Sequence, residues 1–222
     1  LFDKIFDFIS GYNFGFLTFI IGFTGIILGL LISGLVGDYI FWEQSISILG
    51  RRTGGIFSRA GIILSNFLAI PFIVYLGRIL RNENVNDILR KLTIGCGTLA
   101  SISAALTGIF SGVNKFITNL HNFFALLTWI GGAIACTFFG YLMFKNFKFS
   151  KSIKYFNLLI AGVFISYLIP FFIENFCYSY QNICYTLGRI ISTIIPTYEW
   201  VVFFSILFWY LINAYYLFHK SI

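Results

Sequence analysis

The chain has 222 residues, of which 59% are hydrophobic and only 10% charged, and it carries a net charge of +7. With a mean hydropathy of +0.89, it lacks the polar residues needed to cover a water-soluble surface, which excludes a soluble enzyme or binding domain. The basic excess lies in short stretches between long apolar runs, where membrane insertion requires it, and gives no signal for nucleic acid as a partner.

Residues 1–13 place Phe2, Ile5, Phe6 and Ile9 on one helical face and Asp3, Lys4, Asp7 and Ser10 away from it. That spacing fits a short amphipathic segment in the membrane interface; a trimmed, partly ordered tail is the alternative. Apolar runs long enough to cross a hydrocarbon core of about 30 Å follow at 14–36, 56–80, 92–110, 117–144, 155–173 and 198–218. The expected fold class is all-α: a polytopic bundle of six transmembrane helices, with no soluble domain. The first span has neither a basic leader nor a small-residue cleavage site, so it is expected to remain in the membrane.

Small residues mark where helices approach one another. Gly25, Gly29 and Ser33 recur at four-residue intervals in the first span, and Gly132, Cys136 and Gly140 do so in the fourth. The third span is small on two faces, Gly97–Ser101–Ala105 and Ala100–Ala104–Gly108, and is expected to have a neighbour on each side. Pro71 lies within the second span and Pro170 near the end of the fifth. Residues 174–197 read as the longest connector, with Thr197 as N-cap of the sixth span and Glu199 in its first turn, where the helix dipole favours it.

Charge sets the expected orientation. Lys4, Arg78, Arg81, Arg90, Lys91, Lys145, Lys148, Lys151, Lys154 and Lys220 fall on one side, against Arg51, Arg52, Arg59, Lys115 and Arg189 on the other. The positive-inside rule makes both termini cytoplasmic, in what reads as a prokaryotic plasma membrane. Cys177 and Cys184 share the last connector and would then face outward, where a disulfide persists. Cys96 and Cys136 fall inside spans and read as packing residues. The lysines from Lys145 to Lys154 form a positive patch, read first as a topology determinant and second as a contact for anionic lipid.

The polar residues that could do chemistry gather on the outer side. Glu43, Ser47, Arg51, Arg52 and Arg59 come from the first connector and the start of the second span; His121 opens the fourth. Glu174 closes the fifth span, Arg189 lies in the last connector, and Glu199 opens the sixth. Ionisable groups at the edge of hydrocarbon usually pair or serve a function, so these nine residues are the candidate lipid- or ligand-binding cluster. Each has a plainer reading: arginines meet lipid phosphates, and His121 is a hydrogen-bonded interfacial residue. No hydrolase, metalloprotease or phosphate-loop motif is present. With His121 and His219 on opposite sides, a multi-histidine metal or haem site is excluded, and no cofactor is implied. His121, Glu199 and Ser47 are the candidates should there be catalysis, although the sequence gives no geometry for them.

The segment from Ser45 to Gly50, followed by Ile56 to Ser65, resembles a prokaryotic six-span family catalogued as domain-of-unknown-function family 998. Ser47, Gly50, Ile56 and Phe57 match its first-connector pattern, with Ser58 where the family has Asn. Gly108, Phe110 and His121 match its approach to the fourth span, and Glu199 and Trp209 its last span; Ser111 and Gly112 stand where a Pro is usual. The resemblance covers about 15–218 and extends distantly to the DRAM and GPI-anchor lipid-remodelling membrane proteins. It implies six spans and a role in lipid remodelling, distribution or membrane organisation, but not catalysis.

Together these readings give a non-catalytic integral membrane protein that binds lipid or a membrane partner through its outer polar cluster. Two alternatives stay open: a lipid-modifying enzyme using His121 and Glu199, and an accessory subunit of a larger membrane complex or homo-oligomer.

Overall fold

The computed structural model describes residues 2–179 and 181–220, without the side chains of Asp3, Asn175, Tyr178, Ser179 and residues 181–185. Its helices are α1 (Phe2–Phe8), α2 (Gly11–Val36), α3 (Ile46–Leu49), α4 (Gly55–Ile79), α5 (Asp87–Ile109), α6 (Lys115–Lys145), α7 (Lys151–Ser179) and α8 (Gln181–Lys220). Six of them, all but α1 and α3, are long and apolar enough to cross a membrane.

These six close a ring. α2 packs on α4, α4 on α5, α5 on α6, α6 on α7 and α7 on α8, and α8 returns to α2. The small residues set how close the staves come. A Cβ on Gly25 would lie 2.6 Å from the Gly61 Cα, and one on Gly54 would lie 2.2 Å from the Gly29 carbonyl oxygen, so α2 and α4 meet backbone to backbone. Gly132 and Gly140 likewise receive Phe164 and Leu158 of α7. On α5, Gly97 faces Ile73 of α4, and Ala100 meets Gly131 of α6, so this helix has the two neighbours its composition implies.

Helix ends follow the local sequence. Gly37 closes α2 in the left-handed region (φ 78°), its N–H donating to the Gly34 carbonyl while Asp38 donates to that of Ser33. Asn86 caps α5 by accepting from the Leu89 N–H, and Asn114 caps α6 by accepting from Phe116.

The last connector differs from expectation. Residues 174–179 continue α7, and α8 already begins at Gln181, with Pro196 inside it. The polar residues that suggested a loop lie on helix extending past the apolar run. Thr197 therefore does not cap a helix: its Oγ1 donates to the Trp42 carbonyl at 3.0 Å. Glu199 lies well inside α8, so the helix dipole does not account for it. Cys177 is disulfide-bonded; the side chain of Cys184, its expected partner, is among those not described.

Candidate functional site: a polar-headed cavity inside the ring

Segment 38–54 lies across one end of the ring and brings Ser47 to its axis. Tyr39 and Trp200 fasten it: the Tyr39 hydroxyl donates to the Gln44 carbonyl at 2.6 Å, and the Trp200 indole N–H donates to the same oxygen at 3.1 Å. Burial pushes the Tyr39 phenol well above its ordinary pKa, which keeps it a donor. At the near end of the segment, the Thr53 N–H and hydroxyl donate to Asp38 Oδ2 at 3.0 and 2.7 Å. Those bonds to the charged form hold the Asp38 carboxyl below its usual pKa. The Gly54 N–H donates to Ser33 Oγ at 2.9 Å, tying the segment to the α2–α4 seam. Ile46 and Leu49 are buried with Ile26, Tyr39 and Trp200, so the inner side of α3 is packed down and Ser47 is fixed.

His121 of α6 meets Ser47 there. Its Nε2 is 2.9 Å from Ser47 Oγ, and its Nδ1 is 3.0 Å from the Thr107 carbonyl oxygen in the last turn of α5. A carbonyl only accepts, so Nδ1 carries the hydrogen; in the neutral ring Nε2 is then the acceptor for the Ser47 hydroxyl. The Thr107 carbonyl belongs to the set left unpaired at a helix C-terminus, and His121 satisfies it. Glu199 of α8, which is 9% exposed, is the other polar neighbour of Ser47.

Below this group a cavity of about 130 Å³ runs down the inside of the ring. Ser47, Arg59, Ser111, His121 and Glu199 line it at the α3 end, and Ile73, Phe139, Phe164, Trp209 and Tyr210 line it deeper. Its wall on α5 runs from Gly108 to Gly97, a span of about 16 Å at the helical rise and roughly half a hydrocarbon core. Small residues of α5 (Gly97, Ala100, Ser101, Ala104 and Gly108) leave this room. At about 10–15 Å³ per enclosed water, its volume corresponds to roughly ten waters.

Of the nine candidate residues, the cavity gathers Ser47, Arg59, His121 and Glu199. Glu43, Arg51, Arg52 and Arg189 are exposed and Glu174 is half-buried; none of the five lines it. Of the lysine patch, Lys145, Lys148 and Lys151 are exposed, whereas Lys154 is buried with its Nζ 5.8 Å from the Phe144 ring centre. Three contributors escaped the sequence reading: the Thr107 carbonyl, Asn66 and Ser111. The Ser111 Oγ is buried without a hydrogen-bond partner among the described residues. Among the described residues, no group of three His, Cys, Asp or Glu is placed to hold a metal ion.

No family model, curated protein or solved structure matches this chain.

Proposed function

We propose that this integral membrane protein binds a membrane lipid inside its helical ring. The head group lies against Ser47, Arg59, His121 and Glu199, and one acyl chain runs down toward Phe139 and Trp209. The observation that carries this reading is the continuity of one cavity from a polar mouth to an apolar floor over about one leaflet's depth. A soluble metabolite would leave the floor unused, and an apolar molecule would leave the mouth unpaired. Basic and acidic groups together at the mouth suit a phosphate-bearing or zwitterionic head group. The resemblance to lipid-remodelling membrane proteins supports the same class of ligand, and the charge bias of the connecting segments supports a mouth on the extracytoplasmic side.

The test is purification in mild detergent, followed by extraction and mass spectrometry of bound lipid. One lipid class should be enriched over the bulk membrane. Ala104→Phe, which fills the cavity from α5, should lower the retained lipid by about tenfold, the effect of roughly 1.4 kcal/mol of lost affinity. A stoichiometric protein partner with no selected lipid would overturn the reading in favour of a complex subunit.

A further inference from the structure

Resting on the lipid-binding reading, we infer that Ser47 and His121 form a nucleophile–base pair that cleaves or transfers an acyl ester of the bound lipid, with Ser47 as the acyl carrier. This departs from the non-catalytic reading of the sequence, and geometry is the reason. Three features coincide. The Ser47–His121 hydrogen bond runs from Oγ to Nε2 at 2.9 Å, the arrangement in which an imidazole takes a serine proton. The opposite ring nitrogen is held by the Thr107 carbonyl at 3.0 Å, which fixes the tautomer that leaves Nε2 basic. Both residues line the cavity at its polar end, so a lipid seated there would bring its ester linkage beside them.

A fourth feature supplies an unused donor. Ser111 lines the same cavity, and its Oγ is buried with no hydrogen-bond partner among the described residues. It occupies space beside Gly50, where a Cβ would lie 2.8 Å from it. Unpaired buried hydroxyls are rare because they are costly, and this one could serve a developing oxyanion. The Arg59 guanidinium lines the mouth as well.

The chemistry closes without any cofactor. Ser47 Oγ adds to the ester carbonyl carbon while its proton passes to His121 Nε2 and the carbonyl electron pair moves onto oxygen. The adduct collapses, the bond to the alcohol oxygen breaks, and His121 Nε2 protonates that oxygen. The alcohol portion leaves and the acyl group remains esterified to Ser47. Water then gives a proton to His121 Nε2 and adds to the acyl carbon; collapse expels Ser47 Oγ, which recovers the proton. The sum is ester plus water to carboxylic acid plus alcohol, with no change of oxidation state. A lipid hydroxyl in place of water makes the same sequence a transacylation. Thr107 acts through His121, as a positioning residue.

A long-chain alkyl fluorophosphonate tests this on the full chain in nanodiscs of phosphatidylcholine and phosphatidylglycerol, read by intact-protein and peptide mass spectrometry. One adduct is expected, on Ser47, with none in Ser47→Ala. In His121→Gln the labelling rate should fall by about 100-fold or more, the usual weight of a general base. Should that variant fail to fold, the wild type answers by itself: its labelling rate should fall on acidification as the imidazole takes a proton. Absence of a Ser47 adduct, or a rate indifferent to both His121→Gln and pH, overturns the proposal and makes the pair a structural latch. Lipid extracted from the same sample separates the two failures. Selected lipid without a Ser47 adduct removes only the catalysis, whereas neither lipid nor adduct removes the cavity reading beneath it.

Discussion

Two buried polar clusters sit in this ring and have been finished differently. Between α7 and α8, the Asn157 amide nitrogen donates to the Ile153 carbonyl at 2.8 Å and to Asn213 Oδ1 at 3.1 Å, while its oxygen accepts the Trp209 indole N–H. The Asn213 amide donates back to the Trp209 carbonyl at 2.8 Å, and Asn157 and Asn213 are fully buried. Every group there has its partner, so the cluster joins two helices and offers nothing to a ligand. Trp209 belongs to both worlds: its ring lines the cavity floor while its only donor is turned into the network. The Ser47–His121 cluster faces the cavity and leaves the Ser111 hydroxyl unpaired. A closed network is a fastener; one left partly open, above an apolar shaft, is arranged for an occupant.

The largest effect should come from breaking the frame of the open cluster while sparing the closed one. Gly25→Val places side-chain atoms against the Gly61 backbone and should destabilise the α2–α4 seam by about 3 kcal/mol, the upper range for overpacking. Because Ser33 and Gly54 tie segment 38–54 to that seam, lipid retention should fall with it. Thermal unfolding of the detergent-solubilised protein, read beside bound lipid, measures both. Asn157→Ala attacks the closed cluster and strands the Trp209 and Asn213 donors, at about 2 kcal/mol in a membrane interior where such bonds are individually modest. Lipid bound per folded molecule should stay unchanged. If lipid retention drops as well, the two clusters are coupled through Trp209. Ser47→Ala is gentler: one hydrogen bond goes, lowering stability by about 1 kcal/mol, while fluorophosphonate labelling disappears. A Ser47→Ala variant that unfolds instead would place Ser47 with the fasteners.

The frame was far more legible in the sequence than the site. Spans declare themselves because crossing a bilayer leaves no freedom in composition or length, and the stripes at Gly25–Gly29 and Gly132–Gly140 do lie at helix contacts. The cavity was not legible, because a small residue looks the same whether a helix or an empty space faces it. Gly97, Ala100 and Gly108 of α5 do both. Ser47 and His121 stand 74 positions apart, and only the path of segment 38–54 across the ring unites them. The last connector misled for a different reason: helices can project past the hydrocarbon, so the polarity that begins at Glu174 marks the edge of the apolar layer while α7 runs on to Ser179. Asn157 and Asn213 drew no attention because a lone amide in an apolar run has no period to betray its partner.

The smallest expected effect concerns what holds the roof in place over the open cluster. Asp38 is half-buried, and its two bonds from Thr53 favour the charged carboxylate, so its folded-state pKa lies below the ordinary 3.8. A depressed carboxylate pKa contributes stability in full above the unfolded value and loses it as pH falls through the folded value. The order of segment 38–54 should therefore be insensitive to pH from neutrality down to about 4 and should weaken below it. Hydrogen exchange at the Thr53 and Gly54 amides reads this directly. Both should exchange faster relative to the α7–α8 amides as the carboxylate is protonated, and Asp38→Asn should abolish that difference between acid and neutral conditions. The closed Asn157–Asn213 network contains no titratable group and should not respond over the same range. If both regions loosen together in acid, the ring opens as one unit and the roof has no independent stability. If Thr53 and Gly54 respond alone, segment 38–54 is a separately hinged cover on the cavity, its latch on the Asp38 side.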